Sequence, residues 1–390
     1  MNLTRAESLA VWVVIGGLAR TTGAGEPAAP AEAEARIETW LISGQSNACG
    51  QGKLPALAAN PLVEAYDLNA DKWVVAQDPL PGMGTTQLGP WHAAALEVAG
   101  ATGKPLRLAG FAKGGMHISY WDRNERGWKA LSETIKRAAR NADVFLWYQG
   151  ENDGGSQLAG SAYQEALKKL VAAVRAEAGN PRMTAVIVQL SRWNDPRQAA
   201  YMPIREAQRR FVAEDGNALL VPALGRKHGD YVHLGREGQL ELGGEIGRAL
   251  LKTRYDRKDV NWPGPVLDQA VLGADGRTVV AHFAEVAKLG GVEAADFGIV
   301  DAGGQAKVVQ SLATNAVAGN ALVTLTFSEP VKLPVSLIYG AGDNPKASLT
   351  DEAGNRAPAV QIEIIQGQPP EDKPASAPNG AGNRPVAAQG

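Results

Sequence analysis

From Ile37 to about Tyr255, short apolar runs alternate with longer segments whose apolar residues recur every three or four positions. No other feature restricts the fold as much, because this alternation is what a parallel sheet covered by helices on both faces requires. Candidate strands are 39–43 (TWLIS), 106–111 (LRLAGF), 143–148 (DVFLWY), 184–190 (TAVIVQL) and 218–224 (ALLVPAL). Between them, 127–141, 161–179 and 205–215 carry the period of amphipathic helices. The spacing predicts a doubly wound, three-layer α/β/α sandwich of the flavodoxin-like kind, with about five parallel strands, over residues 37–258. Ligands in such sheets lie beyond the carboxyl ends of the strands, which directs attention to the loops after Ser43, Phe111 and Tyr148.

After Trp262 the helical period disappears. Short β-prone runs (TVVAHF, ALVTLTF, VSLIYG) are separated by turn signals such as ADG, DAGG, AGN and GDNP. This predicts a small C-terminal β-sandwich over 263–366. At the other end, Arg5, an apolar run from Leu9 to Ala19 and the small residues that follow have the order of a signal peptide over 1–25. That run is too short to span a bilayer. An Ala, Pro and Glu linker over 26–36 and a Pro, Gly and Ala rich tail over 367–390 lack the apolar content to pack and are expected to be disordered. The expectation is an exported protein, periplasmic or extracellular, with no membrane span in the mature chain. A net charge of −2 without a basic run argues against nucleic acid. Cys49 is the only cysteine, so no intrachain disulfide or thiolate metal cluster can form, and its small-residue surroundings suit a thiol that fills apolar space. No metal-binding motif appears, and no cofactor is expected.

Three loops and one late segment carry the polar residues that chemistry needs. Ser43-Gly44-Gln45-Ser46-Asn47 places Ser46 in the first turn beyond a buried strand, where its hydroxyl can face a crevice or cap the helix that follows. The nucleophile elbow of α/β-hydrolases is not met, because Ala48 stands where the second glycine belongs. Gly229-Asp230-Tyr231-Val232-His233 sets a carboxylate three residues before a histidine, the spacing at which Asp230 can orient His233 as a base. His92, His117 and His282 have no carboxylate so placed; nor does His228, which is a rival by proximity alone. Gln149-Gly150-Glu151-Asn152-Asp153 follows the most apolar strand, and Lys113-Gly114-Gly115 supplies backbone that can approach a ligand closely. Trp121, Trp147, Tyr148 and Trp193 flank these loops and could stack on a sugar or simply pack.

Taken together, GQSN (Gly44 to Asn47), Gly114-Gly115, QGE (Gln149 to Glu151) and D-x-x-H (Asp230 to His233), in this order, resemble the SGNH hydrolase superfamily. Within it they are similar to sialate O-acetylesterase-like carbohydrate acetylesterases, over roughly Glu38 to Leu250. The resemblance implies a serine esterase in which Ser46 attacks an acetyl ester and His233 shuttles the proton, oriented by Asp230 or, as in some members, by Glu151. It implies an oxyanion hole from the N–H groups of Ser46 and Gly115, with Gln149 as the first choice for a third donor and Asn152 as the second. Gln45, Asn47, Trp121 and Tyr148 are the expected substrate contacts, and an acetylated carbohydrate is the expected partner. The C-terminal region resembles the tail of the same group through Gly264-Pro265-Val266 and the stretch from Val335 to Asn355, although the extra β-rich region common in that group has no counterpart before Ile37. A glycan-binding protein without turnover, or an esterase for lipids or thioesters, would share the scaffold.

Overall fold

The structure is a computed structural model, described here for residues 36–195, 200–284, 286–301, 306–317 and 319–367. The expected signal peptide, nearly all of the linker and all but the first residue of the tail lie outside the described residues. The chain order is β1 (Glu38–Gly44), α1 (Ser46–Cys49), β2 (Val63–Asp67), β3 (Lys72–Val75), α2 (Trp91–Thr102), β4 (Leu106–Ala112), α3 (Arg126–Ala138), β5 (Val144–Tyr148), α4 (Glu151–Gly155), α5 (Gly160–Ala178), β6 (Thr184–Gln189), α6 (Tyr201–Asp215), β7 (Ala218–Pro222) and α7 (Arg236–Arg254). The strands form one seven-stranded sheet in the order β3-β2-β4-β1-β5-β6-β7. All neighbours pair in parallel except the β2–β3 hairpin at the edge. Helix α2 packs on α7, and α5 packs between α3 and α6.

The five expected strands are all present, and β2 and β3 add to them. Both extra strands are short and only partly buried, so neither shows as an apolar run. Central strands β5 and β6 are buried along their whole length, as two helical layers demand. With β1 in the centre, the chain first winds toward β4 and then crosses to β5. The carboxyl ends of β1, β4 and β5 therefore open into one crevice.

The second domain contains β8 (Val266–Leu272), β9 (Thr278–Ala284), β10 (Phe297–Asp301), β11 (Ala306–Val317), β12 (Asn320–Phe327), β13 (Val335–Tyr339) and β14 (Val360–Gln366). It is a closed barrel in the order β10-β11-β12-β9-β8-β14-β13 and not the expected two-sheet sandwich. Closure comes from a parallel pairing of β14 with β8 and an antiparallel pairing of β10 with β13, which removes the free edges a sandwich would keep. The barrel is bonded to the α/β domain. Gln189 at the end of β6 exchanges two 2.8 Å hydrogen bonds with the backbone of Ala359. The buried pair Arg226–Glu245 accepts the Arg356 N–H at 3.3 Å through Glu245. Among the described residues, no helix is long and apolar enough to cross a membrane.

Candidate active site

Strand β1 delivers its last residue, Gly44, with φ of +142°, and a Cβ there would lie 2.1 Å from the Tyr148 carbonyl. Only glycine lets the chain turn so tightly between β1 and β5. The turn leads directly into α1, whose first residue is the partly exposed Ser46. From the loop after β7, His233 approaches it, with Nε2 2.9 Å from Ser46 Oγ. On the far side of the ring, Nδ1 is 2.7 Å from Asp230 Oδ2. The second oxygen of Asp230 accepts the N–H groups of Val232 and His233 at 2.9 and 2.7 Å. One carboxylate thus folds the loop and orients the imidazole. Burial opposes its charge, but those N–H groups and the ring outweigh burial and hold the Asp230 carboxyl below the usual carboxylate range. A carboxylate on Nδ1 fixes the tautomer that leaves Nε2 free to accept the serine proton.

His228 is organised differently. Its Nδ1 faces the Arg226 carbonyl at 2.8 Å, so it carries the proton, and Nε2 accepts from the buried Ser191 hydroxyl at 3.0 Å. No carboxylate supports it, and burial pushes its pKa down to about 4. The other histidines meet carboxylates from distant segments, as in His282–Asp268, but none of these touches Ser46.

Glu151 does not reach His233. It is buried at the start of α4 and accepts a 2.7 Å hydrogen bond from Asn47 Nδ2. Burial raises its pKa against that bond. Asn47 is fully buried as well. Its Nδ2 also lies 3.3 Å from the Val232 carbonyl, and its Oδ1 accepts the Leu234 N–H at 3.0 Å. It straps both neighbours of His233 to the residue after Ser46, a positioning role in place of the expected substrate contact. Gln45 is likewise buried, its amide packed 3.1 Å from that of Gln149.

The amide expected first as a third donor, that of Gln149, is turned away from the crevice. Gln149 is fully buried, and its amide N–H groups point inward to the Met116 carbonyl (3.1 Å) and Asp153 (2.5 Å). Asn152 is partly exposed and donates one N–H to the Gly115 carbonyl at 2.7 Å, which leaves the other available. Gly115 takes φ of +74°, a left-handed turn that glycine adopts without strain. Among the described residues, the N–H groups of Ser46 and Gly115 have no hydrogen-bond acceptor. Gly114 lies against Ser46, since a Cβ on it would be 3.5 Å from Ser46 Cβ. Trp121 and Tyr148, expected to contact substrate, are buried at 2% and 0% exposure and pack in the core. Cys49 is buried, and desolvation pushes its thiol up to about 11. Beside His233 opens a cleft of about 830 Å³ lined by polar side chains, among them Gln51, Lys53, Gln87, Lys227, Arg236 and Glu237. Among the described residues, no group of three or more His, Cys, Asp and Glu side chains could hold a metal.

A parallel sheet with a loop serine, a carboxylate-oriented histidine and unpaired N–H groups at one crevice defines a hydrolase of the SGNH class. The family model for carbohydrate esterase, sialic acid-specific acetylesterase, matches residues 36–252, and the chain belongs to that family. It is a carboxylic ester hydrolase. A carbohydrate acetylesterase from Xanthomonas citri has a similar structure, with 18% identity over 83% of this chain and 80% of that one and a TM-score of 0.64. A protein from Arabidopsis thaliana is similar at 22% identity over 55% of this chain and 98% of its own, with a TM-score of 0.50. No curated protein matches the chain.

Proposed function

We propose that the protein removes O-acetyl groups from carbohydrate by a Ser-His-Asp mechanism. Ser46 Oγ attacks the acetyl carbonyl carbon as His233 Nε2 takes its proton, and Asp230 stabilises the imidazolium that forms. The negative oxygen of the tetrahedral intermediate is held by the N–H groups of Ser46 and Gly115 and by Asn152 Nδ2. Its collapse expels the sugar hydroxyl, protonated by His233, and leaves acetyl-Ser46, which water cleaves by the same steps. The observation that carries this reading is the unbroken chain Ser46 Oγ–His233–Asp230, with links of 2.9 and 2.7 Å. The polar lining of the cleft beside His233 favours a sugar over a lipid leaving group.

O-acetylated sialic acid is the first candidate, because the family description names it, and acetylated xylan is the second. The test is acetate release from both by the wild type and by Ser46→Ala. Release that the substitution abolishes supports the reading and names the sugar. Equal release by Ser46→Ala, or none from any ester, refutes it.

A further inference from the structure

Of the four aromatic residues flanking the site loops, Trp121, Trp147 and Tyr148 are buried, and only Trp193 reaches the surface. There it meets Tyr231, which is 40% exposed. The two rings pack edge to face with centres 5.4 Å apart, and the Tyr231 ring centre is 6.4 Å from that of His233. At its other end Trp193 faces α4, since a Cβ on Gly155 would lie 3.6 Å from its Cη2. Gly155 follows Asn152 by three residues in that helix. An aromatic wall therefore runs from the histidine toward the amide donor. The leaving oxygen receives its proton from His233, so the ring attached to that oxygen comes to rest near His233.

The wall is held from the barrel. The backbone carbonyl of Asp343 accepts the backbone N–H of Trp193 at 2.7 Å, and Asn194 donates its backbone N–H to the Tyr231 carbonyl at 2.8 Å. Asn344 Nδ2 donates to Asn194 Oδ1 at 3.0 Å. Beneath them the fully buried Arg205 reaches the Gly342 carbonyl at 2.7 Å. The turn after β13 thus fixes the segment that carries Trp193, and that segment fixes Tyr231. Large rings left partly in water on backbone held by this many bonds are placed for contact with a ligand, because an aromatic face covers the C–H face of a sugar at little conformational cost.

We propose that Tyr231 and Trp193 are the specificity-determining platform for the sugar ring of the leaving group, positioned by the barrel turn from Gly340 to Asn344. The proposal rests on the esterase reading above. The test compares Trp193→Ala, Tyr231→Ala and Tyr231→Phe on the better of the two acetylated sugars and on ethyl acetate, which has no ring. Each alanine variant is expected to raise KM for the sugar ester by about tenfold more than for ethyl acetate. Tyr231→Phe restores the sugar preference, because the ring and not the hydroxyl makes the contact, and Asn344→Ala shifts KM in the same direction by less. Calorimetry of both sugars with Ser46→Ala protein, with and without Trp193→Ala, reads the platform without turnover and should show the same loss of affinity. Equal losses on both esters would overturn the proposal, because the pair would then only prop His233. Unweakened sugar binding in the double variant, or no sugar binding by Ser46→Ala itself, would also overturn it. A wild type inert on both esters would instead sink the esterase reading, and the calorimetric comparison would still decide the platform.

Discussion

Replacing Asn47 with alanine should damage stability and turnover together. The side chain is fully buried and bonds the Glu151 carboxylate at 2.7 Å and the Leu234 N–H at 3.0 Å, with a longer contact to the Val232 carbonyl at 3.3 Å. Truncation removes the 2.7 Å side-chain donor from a buried carboxylate and leaves a buried N–H without its acceptor. At ~1–3 kcal/mol for each orphaned group, more where one is charged, the expected loss is about 3–5 kcal/mol. In a domain of this size that lowers the thermal midpoint on the order of 10 °C. Val232 and Leu234 flank His233, so the loop that aims the imidazole loosens as well. A shift of roughly 1 Å in such a group costs about a hundredfold in kcat/KM. Thermal unfolding followed by circular dichroism, together with p-nitrophenyl acetate hydrolysis well below the new midpoint, measures both effects. An Asn47→Ala protein that melts with the wild type and hydrolyses within twofold of it would refute the strap.

Further outcomes follow from the same packing. Burial raises the Glu151 pKa above its ordinary value of 4.5, so the folded state holds that proton more tightly than the unfolded chain, and stability falls as pH rises through the folded value. Glu151→Gln lacks this loss; its urea midpoint should gain on the wild type between pH 4.5 and 7, and parallel pH profiles would count against a buried, strained carboxylate. Cys49, its thiol pushed up to about 11, should react with an aromatic disulfide reagent at pH 8 only after unfolding. A chain truncated after residue 258 should lose soluble yield and activity, because the fully buried Arg205 would lose its bonds to the Gly340 and Gly342 carbonyls. Full activity in the soluble truncated chain would show the barrel to be dispensable.

The α/β domain was legible because its central strands are buried on both faces and so appear as unbroken apolar runs, as in VFLWY. The edge hairpin from Val63 to Val75 gives no apolar run, because its exposed residues dilute that signal. Barrel closure rests on pairings between segments about 40 and 90 residues apart, such as β10 with β13 and β8 with β14, which no local pattern encodes. In the site, Asp230 and His233 lie three residues apart within one loop, so local spacing sufficed to bring them together. The amides were harder to read. Gln149 and Asn152 have similar chemistry and sit on either side of the α4 start, and the turn of that short helix decides which one faces the crevice. Tyr148 and Trp121 illustrate the same limit, because an aromatic residue at a strand end looks alike whether it packs or projects. Tyr231 has no signal of its own inside the D-x-x-H block, and its meeting with Trp193 depends on contacts made by the barrel.

The proposed chemistry stands on Ser46 as the nucleophile and His233 as its base. Labelling with a fluorophosphonate, which esterifies only an activated serine, followed by peptide mass spectrometry, tests it most directly. A single adduct on Ser46 is expected in the wild type, with labelling slowed by about a thousandfold or more in His233→Ala. An adduct on Ser191 or another serine, or equal labelling rates in the two proteins, would contradict it.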